Sequence, residues 1–296
     1  MSIHPVCATY GKKKCGARSL FRYQGGKQRL SGRIVSLFPV GIRRYFEPFI
    51  GAGSVYLELH NSGFRGPSFL GDWNLEVVNV HRAVAADPAA FEQAYARHVE
   101  RHSREHFYHM RDQDISGLTP VERAARTVYL AKAAYHGLLR VNGQGQVVST
   151  YGTGELSRVL LDGERIRKAG EAFRKAEIWH ADFGWVKSMA EEGDLVFLDP
   201  PYAGTNDCYT ADGFGTDDQH RLAGLCRNLN ERGTLFMQTN SDCGFVRNLY
   251  GQFHLIVVPP RPSLSCNGTS KQPVGEVIIA NYELKAKANG ELEVAA

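Results

Sequence analysis

The residues best placed to do chemistry are Asp199-Pro200-Pro201-Tyr202. Ahead of them, Asp194-Leu-Val-Phe-Leu198 is a short apolar run entered from a glycine, the pattern of a buried strand. Two prolines remove two backbone donors and end the ladder, leaving a stiff loop with free carbonyls. A carboxylate, an unpaired carbonyl and an aromatic face would then stand together at the carboxyl end of a sheet, where open α/β folds bind ligands. Two acceptors beside a stacking ring suit a planar ring that bears an exocyclic amino group. The tetrapeptide equally fits a proline-rich turn that only ends a strand, so the elements around it must decide.

Far upstream, Tyr45-Phe-Glu-Pro-Phe-Ile-Gly51-Ala-Gly53-Ser-Val-Tyr-Leu-Glu-Leu59 reads as strand, glycine turn and helix. Gly51 and Gly53 allow a tight turn and a close approach of backbone to a ligand at a helix N-terminus. A dinucleotide-binding fold would share that pair, but the third glycine of its fingerprint is missing, because position 56 is Tyr. Ser68-Phe-Leu-Gly-Asp72-Trp-Asn74 is a second short strand ending in an acid. Such a carboxylate accepts hydrogen bonds from ribose hydroxyls; a helix cap, which Asn74 could also provide, is the plainer role.

Taken in order, Phe21-Arg-Tyr-Gln-Gly-Gly-Lys27, Glu47-Pro-Phe-Ile-Gly-Ala-Gly-Ser54, Asp72-Trp-Asn74 and Asp199-Pro-Pro-Tyr202 resemble the Dam-type (D12 class, alpha group) adenine-N6 DNA methyltransferases. Tyr135-His-Gly-Leu-Leu-Arg-Val-Asn142, followed by Tyr151-Gly152, is similar to that family's DNA-reading segment, and Ser263-Leu-Ser-Cys-Asn267-Gly to its late loop. The resemblance runs from about residue 20 to 283. It implies transfer of a methyl group from S-adenosylmethionine, released as S-adenosylhomocysteine, to the N6 amino group of an adenine flipped out of double-stranded DNA, with no metal. It further implies Asp199, Pro200 and Tyr202 as catalytic residues. Tyr23, Lys27, Phe49, Gly51, Gly53, Asp72, Asp182 and Phe183 would bind the cofactor, Lys27 closing over its methionine carboxylate. Arg22, Tyr135, His136, Leu138, Arg140, Asn142 and Asn267 would meet DNA, with Arg140 reading a base.

Three positions depart from the family: His136 stands where Asn is usual, Thr150 replaces a Pro, and Gly154 falls where an aromatic is expected. The resemblance therefore does not extend to a GATC target, and a restriction partner is not inferable. Methylation of another exocyclic amine, cytosine N4 or an RNA adenine, is the neighbouring enzyme reading. A DNA-binding protein that has lost catalysis is the reading from another class; intact Asp199, Tyr202, Gly51 and Asp72 speak against it.

The elements that must position these residues alternate. Residues 43–86 read β-α-β-α, residues 88–175 are mostly helical with a polar glycine-rich loop or hairpin near 142–152, and strand-helix alternation resumes at Glu177–Asp182. Thr216-Asp-Asp-Gln219 reads as a capping box opening a helix through Asn230, with strands at Thr234–Thr239, Phe253–Val258 and Glu276–Tyr282. Trp179 and His180 read as core. The expected fold is α/β, a Rossmann-like S-adenosylmethionine-dependent methyltransferase sheet with an inserted, mainly helical DNA-recognition domain. Its expected divisions are a basic N-terminal extension (1–20), a catalytic domain (21–87 and 176–284), a recognition domain (88–175) and a disordered tail (285–296).

Composition sets the setting. The 296 residues are 43% hydrophobic, enough for a large core, with no apolar run approaching the ~20 residues of a membrane span. The N-terminal residues lack the apolar segment of a secretory signal. Cysteines 7, 15, 208, 226, 243 and 266 form no CxxC pair, which favours free thiols, no structural zinc and the cytoplasm. Net charge is +4, but residues 1–46 hold ten Lys or Arg and no acid, an asymmetry suited to a polyanion.

Overall fold

The computed structural model describes residues 16–142, 146–152, 154–203, 214–258, 275–286 and 292–294. The chain runs α1 (Ser31–Ser36), β1 (Tyr45–Glu47), α2 (Ser54–Asn61), β2 (Ser68–Asp72), α3 (Leu75–Ala86), then α4 (Pro88–Glu100), α5 (Arg104–Asp112), α6 (Pro120–Ala133), α7 (Leu156–Val159) and α8 (Gly163–Phe173). It returns as β3 (Ala176–His180), α9 (Val186–Met189), β4 (Leu195–Leu198), α10 (Thr216–Glu231), β5 (Leu235–Ser241), α11 (Gly244–Tyr250), β6 (His254–Val258), β7 (Glu276–Ala280), β8 (Leu284–Ala286) and β9 (Leu292–Val294).

Seven strands form one sheet in the order β3-β2-β1-β4-β5-β7-β6. The first five are parallel, and β7 lies antiparallel between β5 and β6. Successive side chains leave a strand on opposite faces, and the core divides accordingly. Tyr45, Leu195 and Phe197 join one buried cluster with α2, α3 and the helices of the insert. Phe46, Val196 and Leu198 join the other, with α10 and α11. That two-faced burial is why β4 reads as an unbroken apolar run rather than an alternating one. Strand order reverses between β1 and β4, so the crevice of this sheet opens at their carboxyl ends.

Local signals set the helix starts. Asn74 caps α3 by accepting from the backbone of Glu76, and Asp87 caps α4 ahead of Pro88. Thr119 and Glu122 form the reciprocal capping box of α6. Between α6 and α7, the glycine-rich stretch is a hairpin: Val148 N–H donates to the Arg140 carbonyl at 2.9 Å, and Val141 faces Val147. No described helix is long and apolar enough to cross a membrane.

Four expectations are corrected. Residues 17–20 are not extension: Ala17 and Leu20 are buried, and Ala17 exchanges backbone hydrogen bonds with the Asn61 side chain. The tail is not wholly irregular, because Leu284–Ala286 and Leu292–Val294 pair antiparallel, and Leu284 packs against the core. Helix α10 is capped one residue early, where the Asp218 carboxylate accepts from Gly215 N–H; a glycine has no side chain to reciprocate, and Gln219 turns inward instead. His180 is exposed at the end of an edge strand, hydrogen-bonded to the Trp73 carbonyl at 2.9 Å.

Candidate active site

The carboxyl ends of the parallel strands carry almost every expected cofactor residue. After β1 the chain turns through Gly51 and Gly53, at φ of 47° and 74°. A Cβ on Gly53 would lie 2.7 Å from the buried Phe173 ring, which leaves no space for a side chain, whereas one on Gly51 would lie 3.2 Å from Tyr23, a tight contact that a small shift of that ring relieves. Asp72, ending β2, accepts from Gly51 N–H and Asn74 N–H, both at 2.9 Å. Burial pushes its carboxyl up to about 6 against the pull of those two donors. On the other side of the turn, His81 donates from Nε2 to the Gly51 carbonyl at 2.7 Å. Burial holds that ring near 4, hence neutral. The glycine turn is thus clamped by an acid on one side and an imidazole on the other.

The remaining cofactor residues lie on the same edge. Tyr23 is pushed up by burial, next by the Asp72 charge, while Asn74 donates to its hydroxyl at 3.3 Å. Phe49 stacks on Phe183 with centroids 5.4 Å apart. Asp182, expected to meet the cofactor, caps the turn after β3 and pairs with Arg221 of α10 at 2.7 Å; the Arg221 guanidinium lies 4.8 Å from the Phe183 centroid. Lys27 lies against the Asp199 loop. Its ammonium is buried against Asp199 Oδ1 at 2.7 Å and the Gly25 carbonyl at 2.6 Å, and 4.6 Å from the Tyr202 centroid.

Asp199 leaves β4 beside the second half of β5, one residue after Leu198 pairs with Gln238. Thr239 donates its hydroxyl to Asp199 Oδ1 at 2.6 Å. No described residue donates to Asp199 Oδ2 or to the Pro200 carbonyl. Tyr202 is largely buried, and burial raises its phenol well beyond the ordinary range, with the Asp199 and Glu276 charges acting in the same direction. Two open acceptors and a ring held beside them can receive a flat heterocycle through its amino hydrogens.

Five of the seven expected DNA residues lie in or beside one hairpin. Tyr135, His136, Arg140 and Asn142 are exposed and Leu138 half-buried, while Leu139 and Ser149 anchor the hairpin inside. His136 adopts φ 58°, the one positive value among the described non-glycine residues. Asn, usual in the family here, enters that region readily, and His is among the few other residues that do. Leu139 bridges to Tyr23, so exposed Arg22 sits beside the hairpin although far from it in sequence. Asn267 lies outside the described residues.

Sequence reasoning missed the support behind the Asp199 loop. Gln219 donates to the Pro201 carbonyl at 2.9 Å, and Asn240 accepts from Ala203 N–H at 3.1 Å. Asn240 also donates to Gln219 at 3.2 Å, and Ser241 donates to the Ala203 carbonyl. The available signal was Gln238-Thr-Asn-Ser241, a polar run closing an otherwise apolar strand. Buried polar side chains need partners, and a parallel strand's carboxyl end offers loops.

Comparison with known proteins agrees with this arrangement. The chain is 29% identical to the type II methyltransferase M1.LlaDCHI of Lactococcus lactis, over 92% of this chain and 98% of that protein. It is 28% identical to the retron Ec67 DNA adenine methylase of Escherichia coli, over 88% and 90%. Against the DNA adenine methylase of Salmonella typhimurium it is 27% identical, over 88% and 94%. The sequence model described as D12 class N6 adenine-specific DNA methyltransferase matches residues 23–261, and the chain belongs to that family.

Proposed function

We propose that this adenine-specific DNA methyltransferase acts on an adenine flipped out of a short double-stranded DNA sequence, with Asp199, Pro200 and Tyr202 forming the base pocket. The observation that carries the proposal is the pair of acceptors to which no described residue donates, Asp199 Oδ2 and the Pro200 carbonyl, held beside the Tyr202 ring. An adenine amino group is a poor nucleophile because its lone pair is delocalised into the ring. Accepting both N6 hydrogens returns electron density to nitrogen, and fixed placement lowers the barrier by ~7–11 kcal/mol. A base inside a duplex cannot reach such a loop, so extrusion, at roughly a few kcal/mol, comes first.

Methyl transfer in this family draws on S-adenosylmethionine, which supplies an activated methyl group on a sulfonium. The residues present fit that group: two left-handed glycines, Gly53 with no space for a Cβ, expose backbone beside a buried acid at a strand end. Asp72 receives ribose hydroxyls; Gly51, Gly53, Phe49 and Tyr23 line the methionine side; Phe183 and Asp182 line the adenine side. We assign Lys27 to the base pocket, where its charge balances Asp199. Arg22, Tyr135, His136, Leu138, Arg140 and Asn142 face DNA, Arg140 as a base reader. The cytoplasm is the matching compartment, and residues 88–175 serve as the recognition domain.

Single-molecule sequencing of DNA from a methylation-deficient bacterial host expressing this chain tests the proposal. One strongly N6-methylated adenine in a defined short motif is the expected result. Unmarked DNA, with the purified chain still binding S-adenosylmethionine, would overturn the assignment of duplex DNA as substrate.

A further inference from the structure

Asp199 has two oxygens, and rotation about its last bond would exchange them. Both partners among the described residues, the Thr239 hydroxyl and the Lys27 ammonium, take Oδ1. The two differ in what they can fix. Lys27 reaches in on a flexible four-carbon stem, whereas Thr239 is β-branched, stiff at χ1, only 1% exposed, and carried by the neighbouring parallel strand.

We infer that Thr239 is a positioning residue for Asp199: by occupying Oδ1 it turns Oδ2 toward the target amino group. The inference presupposes that Asp199 receives that group, as proposed above. The register supports it, because Leu198 lies level with Gln238 and so Asp199 lies level with Thr239. The rest of the polar run fixes the second acceptor. Gln219, itself bound by Asn240, holds the Pro201 carbonyl, and Asn240 and Ser241 hold Ala203 at its N–H and its carbonyl. The Pro200 carbonyl is bracketed between Asp199, held by Thr239, and Pro201, held by Gln219. A nucleophile that must donate one hydrogen bond to each of two acceptors requires both at a set separation, and loss of such placement costs as much as ~100-fold in rate.

The test is single-turnover methyl transfer by the full chain on the duplex identified by sequencing, with S-adenosylmethionine and DNA affinities and melting temperature measured in parallel. Thr239→Val keeps the branched shape without the hydroxyl, Thr239→Ala removes both, and Thr239→Ser keeps the hydroxyl alone. The expected result is transfer slowed about 10- to 100-fold in Val and Ala. Both affinities should stay within about twofold of the parent, with the rate largely restored in Ser, a rescue that lost packing alone would not give. Should Val disturb the fold, Ala against Ser gives the same comparison. Parental rates in Val and Ala, or Ser as slow as Ala, would overturn the inference. Asp199→Ala separates the two levels. Retained transfer there removes Asp199 from the mechanism altogether. Lost transfer there, beside parental rates in Thr239→Val and Thr239→Ala, removes only Thr239.

Discussion

Glu47, at the end of β1, is 2% exposed, and its carboxylate accepts from the Tyr45 hydroxyl at 2.8 Å. Burial pushes it up to about 8, with the charges of Asp199 and Asp72 adding to the rise and the Tyr45 hydrogen bond opposing it. The folded protein therefore holds a proton there that the unfolded chain releases above its ordinary value of 4.5. The stability this contributes is full below 4.5 and is lost as pH rises through 8. Other shifted groups overlap the lower part of that window: Asp72 in the same direction up to about 6, and His81 and His98 in the opposite one between about 4 and 6.5. Between pH 6.5 and 8 the slope belongs mainly to Glu47, opposed near its upper end by Lys132, which burial lowers to about 8, and the unfolding free energy should fall by about 1 kcal/mol per pH unit. Glu47→Gln should flatten that stretch; an unchanged slope in the variant would exclude Glu47 as its source. The sequence offered Glu47 only as part of a motif, whereas Asp199, Asp72 and the glycines were legible as chemistry because each closes a strand. Thr239, Gln219, Asn240 and Arg221 were not legible, because each acts on a partner 18 to 40 positions away. No spacing rule connects those pairs until strands β4 and β5 are known to be neighbours.

The glycine turn after β1 shows what an element demands of its residues. Gly53 precedes α2 at φ 74°, and an added Cβ would meet Phe173, a ring 1% exposed with nowhere to go. Gly51 is also left-handed, but its Cβ would meet half-buried Tyr23 at 3.2 Å, where a small shift relieves contact. The left-handed conformation alone costs a non-glycine residue about 1–2 kcal/mol, and overpacking adds about 1–3 kcal/mol. Gly53→Ala should therefore lower the melting temperature by roughly 5–15 °C and weaken S-adenosylmethionine binding in calorimetry, while Gly51→Ala should lose less stability. Equal losses would mean that Phe173 yields as easily as Tyr23. At this scale the sequence carried most of the fold: strand, glycine turn, helix and second strand all lie where the pattern of residues 43–86 put them. The order of strands did not, since β7 enters between β5 and β6 by long-range pairing that leaves no local trace. The early cap of α10 escaped for a different reason: Gly215, not a polar side chain, precedes the helix.

Across the whole molecule, the helical insert is built into the catalytic sheet rather than hung from it. Helix α3, which follows β2, packs on both α6 and α8, and one buried cluster runs from Tyr45 and Val77 to Phe107 and Phe173. Polar contacts cross the same seam: Asn79 donates to the Pro120 carbonyl at 2.8 Å, Tyr56 to the Ala172 carbonyl at 2.8 Å, and Arg123 pairs with Glu76. Such a seam holds the Tyr135–Asn142 hairpin in one place relative to Asp199, as the base reading proposed for Arg140 requires. It also makes unfolding cooperative, because neither part keeps its core without the other. Differential scanning calorimetry should give one transition with matching calorimetric and van't Hoff enthalpies. Arg123→Met sharpens the test. It leaves the 8% exposed Glu76 with only the long 3.5 Å bond from Thr127. Breaking a partly buried pair on one side costs about 1–3 kcal/mol after allowing for the exposure of Arg123. The single transition should move down as a unit by roughly 3–10 °C. A variant that instead splits into two transitions would show that the insert folds on its own, and that the hairpin is held to the catalytic sheet by this ion pair more than by the shared core.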